Sequence, residues 1–354
     1  MMANKKIKVL VVDDSPFMRI VLKDILESQP EITVVGTAKN GVEAIRKIKE
    51  LQPDIVTLDV EMPEMDGIEV LEIIMKENPL PVIMLSSYTR EGAEITLRAL
   101  ELGAVDFIFK PSQIMDIDIE SLKENLITKI TTLKNSKIIR PDNLIYTNKP
   151  KITFSKSSTK NVQYIIAVGA STGGPSALKQ FLLPFPKNIP ASILIVQHMP
   201  PNFTSSLAQR LNSLCEIDVK EGQKGETIKP GCAYIAPGDY HMLLYEQGDN
   251  YIIDLNTNEP VHGHRPSVDV LMNSISKLNI KNKIGVIMTG MGRDGSKGLK
   301  KIKGKKGYTI AQNEETCVVY GMPKAAVDIG AVDKILPLQE ISYDILNYIR
   351  ETSI

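Results

Sequence analysis

Short apolar runs alternate with amphipathic stretches through the first part of the chain. Five runs rich in β-branched residues cover 6–14, 32–38, 54–60, 81–87 and 106–111. Each is continuously apolar, which is typical of strands covered on both faces of a parallel sheet. The stretches between them, such as FMRIVLKDILES and GVEAIRKIKEL, have the period of helices that bury one side. Five β/α repeats predict a doubly wound parallel sheet that closes near residue 135.

A second alternation of the same kind occupies the C-terminal half. The runs at 164–171, 191–198, 231–237, 283–290 and 307–312 are predicted strands. Helical segments such as GPSALKQFLL and FTSSLAQRLN separate several of them, so a second α/β domain with a parallel sheet is expected. The segment YHMLLYEQGDNYIIDL predicts a hairpin with a Gly-Asp-Asn turn.

Residues 136–162 differ from both halves of the chain. They are rich in Lys, Ser, Thr, Asn and Pro and have neither a helical nor a strand period, so they are a predicted linker. The expected organisation is a first domain at 1–125, a connecting helix and linker at 126–162, and a second domain at 163–354.

Composition narrows the class of protein. Of 354 residues, 43% are hydrophobic and 24% charged, which excludes a globally disordered chain. Lys and Arg total 42, as do Asp and Glu, and this balance argues against a dedicated nucleic-acid binder. No apolar run approaches the roughly 20 residues of a membrane helix, and the N-terminal apolar stretch is too short for a signal peptide. Three scattered cysteines fit a reducing compartment, so a cytoplasmic protein without membrane insertion is expected.

Acidic side chains collect at strand ends in the first domain. Asp13 and Asp14 end the first predicted strand and Asp59 the third, while Ser86 and Lys110 end the fourth and fifth. In a parallel sheet these ends meet at one edge. Carboxylates so placed suit Mg²⁺, and with an ammonium nearby they could stabilise a phosphoryl group. The alternative is that the paired acids only cap the helices that follow.

The motifs VLVVDDSPFMR, TLDVEMPEMDGIEVL and FIFKP resemble those of a two-component receiver domain with a flavodoxin-like fold, over residues 1 to about 125. The resemblance implies that Asp59 accepts the phosphoryl group. It also implies that Mg²⁺ is held by Asp13, Asp14, Asp59 and the main-chain carbonyl of Glu61.

The same resemblance assigns a conformational switch. Ser86 takes the place of the hydroxyl that contacts the phosphoryl group, and Lys110 pairs with that group. Phe107 occupies the position of the rotating aromatic residue. It lacks the Tyr hydroxyl, so a switch there would depend on burial alone, and the alternative is that Phe107 is plain core.

The second domain has a serine in a sharp turn. Residues 169–173 fit G-x-S-x-G after a strand and before a helix, which exposes the hydroxyl of Ser171. A helix N-terminus there would stabilise an oxyanion. The rival reading is a phosphate cradle, but the G-x-G-x-x-G spacing is not met, and the next strand ends in His198 rather than in an acid.

Asp294 follows another predicted strand in a glycine-rich loop. Three strand ends thus offer a hydroxyl, an imidazole and a carboxylate, the groups that an activated serine nucleophile needs. Their order, Ser171, His198 and Asp294, differs from the Ser–Asp–His order of α/β-hydrolases, so that family is not indicated.

The motifs VGASTGGPSAL, VQHMP, AYIAPGDYHM, HRPSVDVL, MTGMGRDGSKGL and TIAQNEETCVVYGMPKAA resemble the CheB methylesterase family over about residues 163–352. The resemblance implies a Rossmann-like domain with Ser171 as nucleophile, His198 as base and Asp294 as orienting acid. Thr172 and Met291 match positions of the oxyanion site, and His264, Arg265 and Ser267 line the substrate cleft.

The resemblance also implies an activity and its partners. It implies hydrolysis of glutamyl methyl esters and deamidation of glutamines on helical cytoplasmic domains of chemoreceptors, without a cofactor for the ester reaction. A chemotaxis histidine kinase would be the phosphodonor. Rival functions are a receiver-gated binding module with an inactive triad and a response regulator of transcription.

Two further features admit alternatives. His262 and His264 could suggest a metal site, but no neighbouring acid is obvious in the sequence. The lysine-rich run at 297–306 could attract acidic partners, or it could be a solvated helix face and loop.

Overall fold

The computed structural model describes residues 6–87, 89–110, 119–134, 154 and 161–352. The chain divides into two compact units, Met1–Ile145 and Tyr146–Ile354. Of the predicted linker at 136–162, all but Phe154, Asn161 and Val162 lies outside the described residues, as does Pro111 at the end of a predicted strand.

The first unit contains the predicted five-stranded sheet. Its strands are β1 Ile7–Val12, β2 Ile32–Ala38, β3 Ile55–Asp59, β4 Val82–Ser86 and β5 Asp106–Phe109. They lie in the order β2-β1-β3-β4-β5, and every neighbouring pair is parallel. The chain reverses its direction of winding between β1 and β3, which opens a crevice at the carboxyl ends of these two strands.

Five helices cover this sheet. They are α1 Pro16–Glu27, α2 Gly41–Leu51, α3 Gly67–Glu77, α4 Arg90–Leu102 and α5 Ile119–Leu133. Side chains of Ser15, Asn40, Asp66 and Thr89 cap the first four by accepting bonds from first-turn N–H groups. Helix α5 continues past residue 125, the expected domain limit, and buries Leu126, Ile130 and Leu133.

The second unit is built on a seven-stranded parallel sheet. Its strands are β6 Tyr164–Ala170, β7 Ala191–Gln197, β8 Asp218–Glu221, β9 Cys232–Ile235, β12 Asn282–Ile287, β13 Tyr308–Gln312 and β14 Lys334–Leu336. The order is β14-β13-β12-β6-β7-β9-β8. Winding reverses between β6 and β12, so the crevice of this unit opens beyond the ends of these central strands.

The remaining elements of the second unit surround this sheet. The predicted hairpin is present as β10 His241–Gln247 and β11 Asn250–Asn256, with Gln247 opposite Asn250. The helices are α6 Gly174–Leu182, α7 Phe203–Leu214, α8 Val268–Lys277, α9 Ser296–Gly304, α10 Met322–Asp328 and α11 Leu338–Thr352. The expectation of two parallel-sheet α/β domains is confirmed. Among the described residues, no helix combines the length and the apolar character needed to cross a membrane.

Candidate active site and acid pocket

Ser171 leaves β6 at the crevice of the second unit. Its N–H donates to Thr289 O at 3.0 Å, and its carbonyl accepts from Gly174 N at 2.7 Å and from Gln197 Nε2 at 2.9 Å. These bonds fix the turn between β6 and α6. Gly173 has a φ of 74° at this turn, and a Cβ there would lie 2.6 Å from Val318 Cγ2, so glycine is required.

His198 leaves the adjacent strand at the same level. Ala170 pairs with Gln197 in the register of β6 and β7, and His198 N donates to Ala170 O at 3.2 Å. The His198 side chain is 5% exposed, and its Nε2 lies 2.9 Å from Asp294 Oδ2. The other ring nitrogen, Nδ1, is buried and has no hydrogen-bond partner among the described residues. A carboxylate holds the protonated nitrogen, so Nδ1 is the basic one.

The buried carboxylate of Asp294 accepts hydrogen bonds from five protein donors. Besides His198, Val268 N donates to its Oδ2 at 2.7 Å. Ser267 Oγ, Asp269 N and Gly295 N donate to its Oδ1 at 2.8, 3.0 and 3.0 Å. Three of the five donors belong to the start of α8, where the helix dipole also favours an anion.

The charge of Asp294 is stable as a result of these contacts. Burial alone would raise its pKa, but the hydrogen bond and charge of His198, together with N–H groups of Asp269 and Val268, outweigh burial and hold the pKa at about 2. The carboxylate therefore remains ionised at neutral pH, where it can orient His198 and stabilise an imidazolium.

A second histidine packs against His198. The rings of His198 and His264 are stacked, with centroids 3.8 Å apart and an interplanar angle of 13°. Arg265 holds this segment in place, since its Nε donates to Asp239 Oδ1 at 2.9 Å and its Nη1 donates to Thr257 O at 2.9 Å. Arg265 is thus bonded within the protein itself, and His264 is the residue that stacks on His198.

An acid does lie near the His262–Gly263–His264 segment, although it was not evident from the sequence. His262 Nε2 is 3.3 Å from Asp269 Oδ2, and Asp269 Oδ1 accepts from Gly298 N at 2.6 Å. One ligand atom from each of His262, Asp269 and Asp294 falls within 4.8 Å of the others. Asp294 already accepts five hydrogen bonds, so a metal there would have to displace them.

The residues expected at the oxyanion site border Ser171. Thr172 is buried, and its carbonyl accepts from Thr289 Oγ1 at 3.0 Å. Met291 follows Gly290, where an added Cβ would lie 2.8 Å from Ser171 Cβ. Thr172 and Met291 are thus each one residue from a position at the serine turn, and their role in catalysis stays a prediction.

The acid pocket lies at the crevice of the first unit. Lys110 Nζ is 2.6 Å from Asp59 Oδ2 and 3.2 Å from Asp13 Oδ2. Asp59 and Asp13 are buried, whereas Asp14 is exposed and leaves the pocket open to solvent. Burial, and then the charge of Asp13, raises the pKa of Asp59 to about 7 against the opposing effect of Lys110.

The pocket fits a divalent cation. One oxygen from each of Asp13, Asp14 and Asp59 lies within 4.8 Å of the others. Asp13 Oδ2 is buried and has no hydrogen-bond partner among the described residues, although it lies 3.2 Å from Lys110 Nζ. Hard oxygen donors with an unsatisfied buried oxygen are the set that Mg²⁺ prefers.

The expected switch residues Ser86 and Phe107 lie on β4 and β5, the two strands that follow β3 and its Asp59 in the sheet order. Ser86 is buried at the end of β4, where its hydroxyl accepts from Thr96 Oγ1 at 2.6 Å and lies 3.3 Å from Gly92 O. Phe107 is also buried, with its ring 5.2 Å from that of Phe109 in an edge contact. Sequence reasoning did not single out Thr96, which ties Ser86 to α4.

Comparisons with known proteins define the class of each unit. Residues 9–120 match the response regulator receiver domain, and residues 166–345 match the CheB methylesterase. The first α/β unit, which contains the acid pocket, is thus a receiver domain. The second, in which a serine and a histidine follow adjacent strands, is a hydrolase domain. The chain belongs to the CheB methylesterase family.

Relatives match along almost the whole chain. A protein of Halalkalibacterium halodurans is 53% identical over 97% of this chain and 98% of its own length. One of Pyrococcus abyssi is 47% identical over 96% of this chain and 93% of its own. Both are named protein-glutamate methylesterase/protein-glutamine glutaminase. The crystal structure of the Thermotoga maritima CheB methylesterase catalytic domain has a TM-score of 0.51 and 44% identity, and covers 52% of this chain and 98% of its own.

Proposed function

We propose that this protein is a phosphorylation-activated serine hydrolase that demethylates glutamyl methyl esters of chemoreceptors and deamidates specific receptor glutamines, in chemotactic adaptation. The observation that carries the proposal is the pairing of His198 Nε2 with Asp294 at 2.9 Å, which leaves a buried basic nitrogen on the strand end adjacent to that of Ser171. The names of relatives at 47–53% identity agree with these activities.

The ester reaction follows from the roles of these three side chains. Ser171 Oγ attacks the ester carbonyl carbon while His198 Nδ1 takes its proton, and Asp294 stabilises the imidazolium. Main-chain N–H groups around Thr172 and Met291 would stabilise the oxyanion. The tetrahedral intermediate collapses, His198 returns the proton to the leaving oxygen, and methanol departs.

A second half-reaction regenerates the enzyme. His198 takes a proton from water as the water oxygen attacks the acyl carbon on Ser171, and the proton then returns to Ser171 Oγ as the glutamate product leaves. A glutamine amide follows the same path, except that ammonia leaves in place of methanol.

The acid pocket would control this activity. Asp59 would accept the phosphoryl group, with Ser86 and Lys110 contacting its oxygens. Asp13, Asp14, Asp59 and the carbonyl of Glu61 would hold Mg²⁺, which when bound neutralises charge on the transferring group. Phe107 would switch between two packed positions. The proposed phosphodonor is a chemotaxis histidine kinase, and the proposed compartment is the cytoplasm, where receptor signalling domains lie.

Methanol release from a methylated chemoreceptor fragment tests the proposed activity. Wild-type protein should release methanol, and the Ser171→Ala variant should release it at the uncatalysed rate. A receiver-gated binding module would instead retain the fragment without turnover, so binding of the fragment by wild type without methanol release would contradict the proposal.

A further inference from the structure

An exposed cationic face flanks Asp294 in the chain. It consists of Arg293, Lys297 and Lys300, here called the basic rim, and all three residues are exposed. Helix α9 turns its other side inward and buries Ser296, Gly298, Leu299 and Ile302. Lys297 and Lys300 are three residues apart on the outer side, so their side chains project from one face.

The structure separates the lysines of this segment into two groups. Lys301 Nζ donates to Asn273 Oδ1 at 2.5 Å, and Lys303 Nζ forms an ion pair with Asp333 at 3.1 Å. Within the part of the chain that the structure describes, the three basic rim side chains form no such bond. Lys301 and Lys303 therefore make contacts within the fold, whereas the cations of the basic rim have no such partner among the described residues.

Arg293 and Lys297 stand at the end of α9 that disfavours cations, and Lys300 lies about one turn further along the helix. A helix N-terminus carries about half a positive charge, so acids stabilise it and cations destabilise it. Helix α9 has no acid in its first turn, where Lys297 lies, and Arg293 precedes it. The nearby Asp294 is 1% exposed and accepts its hydrogen bonds from the interior. The cations and the helix end therefore reinforce each other toward solvent, which favours an anionic partner.

We propose that the basic rim binds carboxylates of the substrate segment, an acidic helical stretch that flanks the reacting glutamyl residue. This inference rests on the proposed function. Each turnover there converts a neutral ester or amide into a carboxylate, so a segment with several such sites gains negative charge as it is processed. Carboxylates three or four residues apart lie on one face of a helix, which matches the spacing of Lys297 and Lys300.

We expect the basic rim to raise the rate at which the substrate segment is encountered and to orient that segment. Exposed ion pairs are individually weak, but several cations beside a cleft raise the rate at which an anionic partner arrives. Because Arg293 adjoins Asp294, which pairs with His198 at 2.9 Å, the rim begins one residue away from the proposed catalytic pair. The rim would thus favour acidic receptor segments over neutral glutamyl esters of other proteins.

Charge reversal at the rim tests this inference. The variant is Lys297→Glu/Lys300→Glu, and the matched control is Lys305→Glu/Lys306→Glu, which changes net charge equally at two exposed lysines beyond the far end of α9. Methanol release from a methylated receptor fragment gives kcat/KM. At low ionic strength kcat/KM of the rim variant should fall about tenfold, mainly because KM rises. The control variant should keep kcat/KM within about twofold of the wild-type value. High salt should narrow the difference, because the Debye length falls from about 30 Å at 0.01 M to about 3 Å at 1 M.

The outcomes separate this inference from the proposed function. Equal losses in both double variants, or no loss in the rim variant, would overturn the inference while the esterase activity stands. Absence of methanol release by wild type would overturn the proposed function, and with it the inference. The neutral variant Lys297→Gln/Lys300→Gln should show an intermediate loss, and a loss as large as that of the glutamate variant would point to damaged packing and contradict a charge effect.

Discussion

His198, the proposed base, is held through its Nε2, and this determines the effects that we expect from mutating its neighbours. With Asp294 on Nε2, the remaining nitrogen of His198 is buried and has no other partner among the described residues. Its proposed use is to activate Ser171. When a nucleophile and a base act in one step, removing either one lowers kcat nearly as much as removing both.

We therefore expect strong non-additivity between Ser171 and His198. Either single alanine variant should lose several orders of magnitude in kcat, and the double variant should lose little more. Single-turnover and steady-state methanol release would measure this. Losses that multiply in the double variant would contradict the assignment of these two residues to one step.

Asp294 gives a prediction about stability as well. Its pKa of about 2 lies below the ordinary value of 3.8, so the native protein gains stability from ionised Asp294 above about pH 4 and loses this gain as the pH falls to 2. The gap amounts to roughly 2 kcal/mol at 1.36 kcal/mol per unit. As the pH falls through this range, the wild-type protein should therefore lose its greater stability relative to Asp294→Asn. Urea unfolding measures this difference for the whole protein, and hydrogen exchange in peptides of α8 and α9 measures it locally. A wild-type advantage that stays constant from pH 5 to pH 2 would contradict the network around Asp294.

Single residues were predictable from the sequence where the chain order places them at strand ends. Ser171, His198 and Asp59 are such residues, because a continuous run rich in β-branched residues precedes each of them and predicts a buried strand. The partners of Asp294 were not predictable as a set, since Ser267 and Val268 precede it by 27 and 26 positions. Only the packing of α8 over the loop after β12 brings their donors to it.

At the level of elements, the central strands were predictable and the edges were not. Strands β6, β7 and β3 are buried along their whole length, which requires apolar residues throughout. Strands β8 and β14 have sequences DVKE and KIL with exposed positions, and neither was predicted. Such short edge strands gain their pairing from a neighbour and leave little periodic signal.

The turn between β6 and α6 yields a prediction at this scale. Gly173 and Gly225 both have positive φ, but an added Cβ meets Val318 at 2.6 Å only at Gly173 and meets nothing within 4 Å at Gly225. Both alanine variants should lose about 1 kcal/mol of stability from the backbone conformation. Gly173→Ala should in addition lose at least tenfold in kcat, because the clash displaces the turn that carries Ser171, while Gly225→Ala keeps wild-type kcat.

Kinetics and urea unfolding of the two variants measure these effects. Equal kcat values in the two would contradict the view that this turn is held by close packing.

The whole molecule joins a receiver to a hydrolase in one chain. A tether between two units gives a high effective concentration, so even a weak inhibitory contact would be populated. Deleting residues 1 to about 140 should therefore raise basal methanol release and abolish its response to a phosphodonor. If the isolated second unit were no faster than the unphosphorylated intact chain, release of inhibition would be excluded, and activation would need contacts made by the phosphorylated receiver.

The most direct test of control by phosphorylation is the rate at which the intact chain releases methanol from a methylated chemoreceptor fragment. The rate is measured in buffer containing Mg²⁺, with and without a small-molecule phosphodonor. The account predicts a several-fold rise in wild type, since a gap of about 1.4 kcal/mol between states gives a tenfold population change. It predicts no rise in Asp59→Asn or when Mg²⁺ is chelated. A rise of the same size in Asp59→Asn would contradict control through Asp59.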